Sequence, residues 1–481
     1  MSNEELQQQL KPYINKPITF FQLIEARSAI TQYYTKNQYI RSGAFIPPQT
    51  ISDNGTLTIQ VVEGKVGEIN VKIQGRLNPN YIRSRLEKAT TAPLNQEKLV
   101  SALQLLQIDP LVKTVSAELS SGVRPDTSIL DIEIETANPW QIETISNNGR
   151  APSVGTFRRG VEVGHRNITG IGDSLNTVYT NTDGSDRVEV SYSIPVNSNN
   201  SSIELLYRHQ DSEVIESPFE RLDIESNSNT YQLSFRQPIM QTPWQTLSLG
   251  LSAIRRDSQT SILGENYPLS EGADDNGETK LSIVQFFQDY ELRGKNQVLA
   301  FNSQFNVGLG ILDATVNSNE PDSQFLYWRG QGQWVRELAK NTLLVVGADI
   351  QLSPSNLVSL ERFALGGYRS VRGYRQDTRL TDNGVLGTIE VRLPVPWISG
   401  KNRLFQVVPF IDGGVGWNSG GEEVEGTNAL AAVGVGLQVN LWEKVNMRLD
   451  YGIPLVDVNS QDKTAQEEGF YFSVSATPFS F

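Results

Sequence analysis

The chain has 481 residues, 20% of them charged and 38% hydrophobic, with 39 Gly, 22 Pro, two His, no Cys and a formal net charge of −13. That profile excludes a disordered or collagen-like chain, and the length allows several domains. Apolar runs such as Thr342 to Ala348 and Ala429 to Leu437 fall well short of the roughly 18 to 20 residues a membrane-spanning helix needs, and the acidic balance argues against a general nucleic-acid binder.

The absence of Cys removes disulfides, thiol nucleophiles and thiolate metal sites together, and fits a chain working in an oxidising compartment. With only His165 and His209 there is little material for a zinc site or a Ser-His-Asp triad, so no metal, no cofactor and no enzyme activity are expected. Met1 to Gln9 are polar and lack the apolar core of a secretory leader, so any leader is expected to lie outside this sequence.

In chain order, Leu6, Leu10 and Ile14 recur at helical spacing, and Phe20, Leu23, Ile24, Ala29 and Ile30 do so behind Thr19, a capping residue type. Tyr39 to Pro47 reads as extended, and the turn Asp53-Asn54-Gly55 leads into an alternating strand from Thr56 to Val61. The order is ααββ. It then returns with one strand in front: a strand at Ile69 to Ile73, helices at Asn78 to Ala89 and Gln96 to Leu106, and strands at Val112 to Leu119 and Ser128 to Ile134. Two adjacent units with one pattern indicate an internal repeat, the first lacking its opening strand.

From Trp140 onward the dominant period is two. Val188, Val190, Tyr192 and Ile194 alternate with Glu189, Ser191 and Ser193, and Val445, Met447, Leu449 and Tyr451 alternate with Asn446, Arg448 and Asp450. Sixteen candidate strands begin near Trp140, Thr156, Asp173, Arg187, Ser201, Asn229, Gln245, Lys280, Gln297, Ser323, Thr342, Gly384, Arg403, Ala429, Lys444 and Gly469. Short turns such as Arg293-Gly294-Lys295 alternate loosely with long polar loops, read at Gln210 to Ser228 and Asp257 to Thr279, and the chain closes on Phe479-Ser480-Phe481. A soluble sandwich would also alternate. The even strand number and the alternation of turns and loops favour instead a transmembrane β-barrel of sixteen antiparallel strands, apolar side chains to lipid and polar ones to a watery lumen.

The most distinctive segment runs from Leu360 to Arg375 and contains Gly366-Gly367, then Val371-Arg372-Gly373-Tyr374, in a long loop at 354–383 between two candidate strands. A buried Arg needs a carboxylate. In Phe410-Ile411-Asp412-Gly413-Gly414, counting by twos puts Ile411, Val415 and Trp417 on the apolar face and Asp412 toward the lumen, with glycines leaving room for a loop. Arg372 therefore pairs with Asp412, or with Glu390 as a second choice, or else belongs to a solvated basic tip with Arg369 and Arg375; spacing leaves these open.

These motifs, with Pro47-Pro48-Gln49 and Val61-Val62-Glu63-Gly64, the repeated βααββ units and the sixteen strands, resemble the outer-membrane transporters of two-partner secretion, the haemolysin secretion/activation proteins of the POTRA-bearing barrel superfamily. The resemblance implies two α+β POTRA domains at 1–66 and 67–138 and a barrel at 139–481, and it assigns the loop-to-wall pair to Arg372 and Asp412. It further implies that periplasmic POTRA domains receive an unfolded secreted client and that the barrel exports it. The second unit, with Leu99, Leu103, Leu105 and Leu106 and the strand from Val112, is the expected receiver through strand addition. No Gly-x-x-x-x-Gly-Lys phosphate cradle is present, so transport without nucleotide is expected, by a monomer in contact with outer-membrane lipid and no nucleic acid. The plug helix and linker usual in the family have no counterpart before Glu4, which implies a shortened start. The alternatives are an assembly factor that inserts other barrels and a passive porin.

Overall fold

The structure is a computed structural model and describes residues 1–50, 55–319, 321–421, 423–424, 426–458 and 464–477. The expected turn at Asp53-Asn54 and the closing Phe479-Ser480-Phe481 lie outside the described residues. Two compact units form, one built on Met1–Ala137 and the other on the residues from Asn138 onward, Gly170–Gly172 excepted.

In the first unit, α1 (Asn3–Leu10) starts on a capping box of Ser2 and Glu5, and α2 (Phe20–Lys36) on one of Thr19 and Gln22. Ile30 and Tyr34 of α2 are buried with Ala44 against the antiparallel pair β1 (Gly43–Phe45) and β2 (Gln60–Val62). Both strands are shorter than the sequence implies. The Gln49 amide explains why β2 starts late: its Oε1 accepts from the Thr58 N–H at 2.7 Å and its Nε2 donates to the Thr58 carbonyl at 2.7 Å, so a side chain holds the groups a neighbouring strand would bond. Next come β3 (Lys65–Gln74), α3 (Pro79–Glu87), α4 (Gln96–Gln107), β4 (Val112–Ser121) and β5 (Thr127–Thr136). β3 begins two residues ahead of the expected boundary at 67. The sheet order is β3-β5-β4, with β3 parallel and β4 antiparallel to β5. Ile82, Leu86, Leu94, Leu99 and Leu106 pack on Leu130, Ile132 and Ile134 of the sheet. The apolar face of α4 and β5 is thus core.

The second unit is a closed antiparallel barrel of sixteen strands from Trp140–Asn147 to Phe470–Ala476, with Glu265–Asn266 a short extension of the hairpin that follows Gln245–Ile262. First and last strands close it, Ser473 opposite Asn147 and Ala476 opposite Thr144. Closure leaves no backbone edge for lipid to strand. Leu205, Tyr231, Leu233, Ile411, Leu437 and Leu449 point outward and are exposed. Trp140, Trp244, Trp397 and Trp442 stand exposed at the end with the short turns, as an interfacial aromatic belt requires.

Two expected loops are shorter than the sequence implies, their ends being strand. Ser202–Glu213 pairs with Ile224–Gln241 out to Glu213 and Glu225, and Gln245–Ile262 pairs with Glu278–Gly294 out to Gln259 and Glu278. Beyond the bilayer both faces meet water, so polar residues such as Asn227, Ser228 and Asn229 continue the ladder without an apolar side.

Candidate functional site: the inward loop and its wall

The loop between the strands Thr342–Leu352 and Asn383–Pro394 folds into the lumen, its arms pairing as the short ribbon Phe363–Leu365 with Arg379–Thr381. Its descent is moulded to wall glycines. A Cβ on Gly384 would lie 2.0 Å from the Phe363 ring, one on Gly414 2.6 Å from Leu365, and one on Gly416 2.4 Å from Thr381. Gly413 behaves differently: it lies on the outward side with Ile411, and a Cβ there would meet only the Leu430 carbonyl, at 3.8 Å. Val371 is fully buried with Phe363, Leu365 and Tyr374 of the loop against Leu386, Leu430 and Ala432 of the wall.

At the tip, Arg372 meets Asp412 through two parallel bonds, Nε to Oδ2 at 2.7 Å and Nη2 to Oδ1 at 2.8 Å, and the Arg372 N–H adds a third at 3.2 Å. Its guanidinium carbon stands 3.5 Å from the Phe410 ring centre. Glu390 is also engaged, accepting from Arg372 Nη1 at 3.3 Å, and Asp450 lies 3.5 Å from the same nitrogen. Arg448 donates to Asp450 at 2.7 and 2.9 Å and to Glu390 at 2.7 Å, and Arg392 donates to Glu390 at 2.7 Å. Three guanidinium and three carboxylate groups therefore neutralise one another, with Arg372 6%, Asp412 1% and Asp450 0% exposed. Burial of so many charges is tolerable because each is paired and hydrogen-bonded.

Gly373 supplies a backbone that other residues rarely adopt, at φ +102°, where its N–H donates to Tyr471 Oη at 3.0 Å. The contact is close: a Cβ on Gly452 of the wall would stand 2.6 Å from the Gly373 nitrogen. Tyr471 Oη in turn donates to the Tyr374 carbonyl. The Tyr374 phenol bridges to the Ala431 carbonyl at 2.8 Å and accepts from the Val456 N–H at 3.1 Å.

Further contacts hold the loop at both shoulders. Glu361 accepts from Arg256 Nη1 at 2.5 Å and from the Tyr327 phenol at 2.7 Å. Arg375 pairs with Glu216, and with Glu467 at 3.1 Å. Sequence reasoning missed Asp450, Arg448, Arg392, Tyr471, Glu361, Glu216 and Glu467 as partners. The period-two pattern already put Arg448 and Asp450 on the polar face; which strands stand opposite the tip is a matter of barrel register.

In the first unit, Pro47, Pro48 and Gln49 lead into the Gln49–Thr58 clasp. Glu63 accepts from the Tyr34 phenol at 2.7 Å, and burial followed by this bond holds that phenol well above its ordinary value. Gly64 passes so near the chain that a Cβ would stand 2.4 Å from the Arg41 carbonyl. Glu63 thereby locks β2 to α2.

The description of haemolysin secretion/activation proteins of the ShlB/FhaC/HecB type matches residues 126–439, and that of ShlB-type POTRA domains matches residues 1–64. The chain belongs to this family. Among curated relatives, the heme/hemopexin transporter protein HuxB of Haemophilus influenzae is 23% identical over 96% of the chain and 82% of its own length. The outer membrane transporter CdiB of Dickeya dadantii is 20% identical over 76% of the chain and 65% of its own length. Among solved structures, CdiB from Escherichia coli superposes with a TM-score of 0.77 at 19% identity, covering 99% of the chain and 88% of that protein. BamA from Haemophilus ducreyi lacking POTRA domains 1–3 reaches 0.58 at 14% identity, over 98% and 97%. The transporter is thus an outer-membrane barrel of two-partner secretion with periplasmic POTRA modules, and it acts on a secreted partner protein.

Proposed function

We propose that this transporter works as a monomer in outer-membrane lipid, independently of nucleic acid and without catalytic chemistry, and that the Arg372–Asp412 pair seats the inward loop in the lumen. Residues 1–66 and 67–138 act as two POTRA modules, and an extended stretch of the client adds to an edge of the second sheet, where main-chain bonds give affinity. The barrel at 139–481 then conducts the chain outward, with folding outside the cell as the drive. Val371, Gly373, Tyr374, Gly414 and Glu390 serve to place Arg372, while Gly413 only continues the strand. Pro47, Pro48, Gln49, Glu63 and Gly64 hold the first module in shape.

The observation that carries this reading is the two-pronged Arg372–Asp412 contact inside a charge-neutral cluster. A loop held only by apolar packing would not need three buried acids matched by a buried Arg372 and the half-buried Arg392 and Arg448. The test is to replace Arg372→Ala and Asp412→Ala separately and follow both the secreted proteome and heat-modifiable migration of the barrel. Export of one large protein should fall while the barrel still inserts. Normal export by both variants would remove the pair from the mechanism, and a general loss of other outer-membrane barrels on depletion would favour the assembly-factor alternative.

A further inference from the structure

Lumen-facing arginines of this barrel come paired. Arg187 and Arg208 share Glu189 at 2.6 and 2.7 Å, Arg236 meets Asp289 at 3.2 Å, and Arg329 meets Asp349 at 2.7 Å. Arg158, Arg369 and Arg150 depart from this rule: none has a hydrogen bond or ion pair from its guanidinium among the described residues. Arg158 opens the strand Arg158–Arg166, which turns Val161 and Val163 outward and so places Arg158 on the lumen face. Its Nε is buried with no partner. Arg369 and Arg150 are its charged neighbours: Gly149, beside Arg150, passes so near Tyr368, beside Arg369, that a Cβ would stand 3.2 Å from the Tyr368 ring, and no carboxylate acts on Arg158. Arg369, from the loop tip, lines a lumen cavity of about 560 Å³ whose carboxylates, Asp289, Glu291 and Asp349, are already held by Arg236, Arg293 and Arg329. The one carboxylate acting on Arg150 is that of Asp377, which already accepts from Gln376 Nε2 at 2.5 Å.

Three guanidinium groups with no carboxylate bonded to any of them among the described residues, on a chain whose net charge is −13, are a local excess that composition does not explain. Close, partly desolvated like charges are costly unless an anion joins them. Arginine offers fixed forks of donors that fit carboxylate oxygens. We propose that Arg158, Arg369 and Arg150 form an oxyanion site in the lumen that receives carboxylate side chains of the exported polypeptide as they pass the loop. The proposal rests on the transport reading above, because an extended polypeptide carries its oxyanions as Asp and Glu side chains. Two of the three arginines lie outside the barrel strands, Arg150 in the first long connection and Arg369 in the inward loop, so the site is complete only while the loop is seated. Loop position and client charge are thereby coupled: an acidic segment favours the seated loop, and a neutral one does not.

The test uses the full chain in detergent micelles, titrated calorimetrically with oligoglutamate, oligolysine and inorganic phosphate. Oligoglutamate should bind and oligolysine should not. The double variant Arg158→Gln with Arg369→Gln should weaken oligoglutamate binding by about tenfold or more, the scale of one charge-assisted bond. Lys72→Gln, an exposed cation of the front unit paired with Glu133, should leave it unchanged. Arg369→Gln alone, in a loop, guards against a double variant that fails to fold. Equal oligoglutamate binding by the parent chain and the variants would overturn the proposal, as would binding of phosphate with none of oligoglutamate. Secretion of the client is scored separately: an unchanged secreted proteome when the protein is depleted counts against the transport reading, and intact export by a variant that no longer binds oligoglutamate counts against the site.

Discussion

The front unit and the barrel solve the same alternating pattern in opposite solvents. In the front unit the deepest side chains are Ile82, Leu86, Leu94 and Ile132, with charges such as Lys72 and Glu133 left outside. In the barrel Leu205, Tyr231 and Leu437 face outward, while Asp412, Asp450 and Gln351 are among the most buried groups. The two kinds of interior differ in how they hold together. An apolar core is non-directional and tolerates small adjustments, whereas a charged interior depends on each partner being present.

The sharpest way to break that contrast is to leave one buried charge alone. Arg372→Ala removes a fork from Asp412, and the local cost should be about 3–5 kcal/mol. Protease access to the loop and secretion should report it, while Asp412→Asn, which keeps the shape but not the charge, should fall between parent and Arg372→Ala. In the front unit Leu86→Ala should cost about 2–5 kcal/mol through a cavity, read as faster hydrogen exchange in α3 and β5 with exchange in the barrel strands unchanged. If the barrel strands respond equally, the two interiors are not independent. Gly384→Ala adds a single methyl against the Phe363 ring, with an expected cost of about 1–3 kcal/mol of loop seating, seen as higher proteolysis at 354–383. Smallest is Tyr34→Phe, which deletes the bond to Glu63 for about 1 kcal/mol and should lower only the thermal midpoint of the first module.

Much of this architecture is legible in the residues. Period two from Val188 to Ile194 and from Val445 to Tyr451 reports a sheet with one apolar side, and Thr19 marks a helix start that the structure caps through Gln22. The loops expected at Gln210 to Ser228 and Asp257 to Thr279 are present but shorter, because apolar alternation stops where the bilayer stops although backbone pairing continues. Gly413 and Gly414 look alike in sequence. Only the parity of the strand, which sends one outward and presses the other against Leu365, tells them apart.

What the sequence determines by itself is local: the repeat of βααββ units, the strands, the side of each strand that is apolar, and an arginine next to a glycine in a long loop. Which carboxylates that arginine meets was decided by tertiary structure. Asp412, Glu390 and Asp450 sit on three different strands, and closing the barrel sets the stagger that brings them to one height beside the loop tip. Charge pairing acts over a few ångströms, while the chain separations involved span tens of residues, so only the closed sheet converts the one into the other.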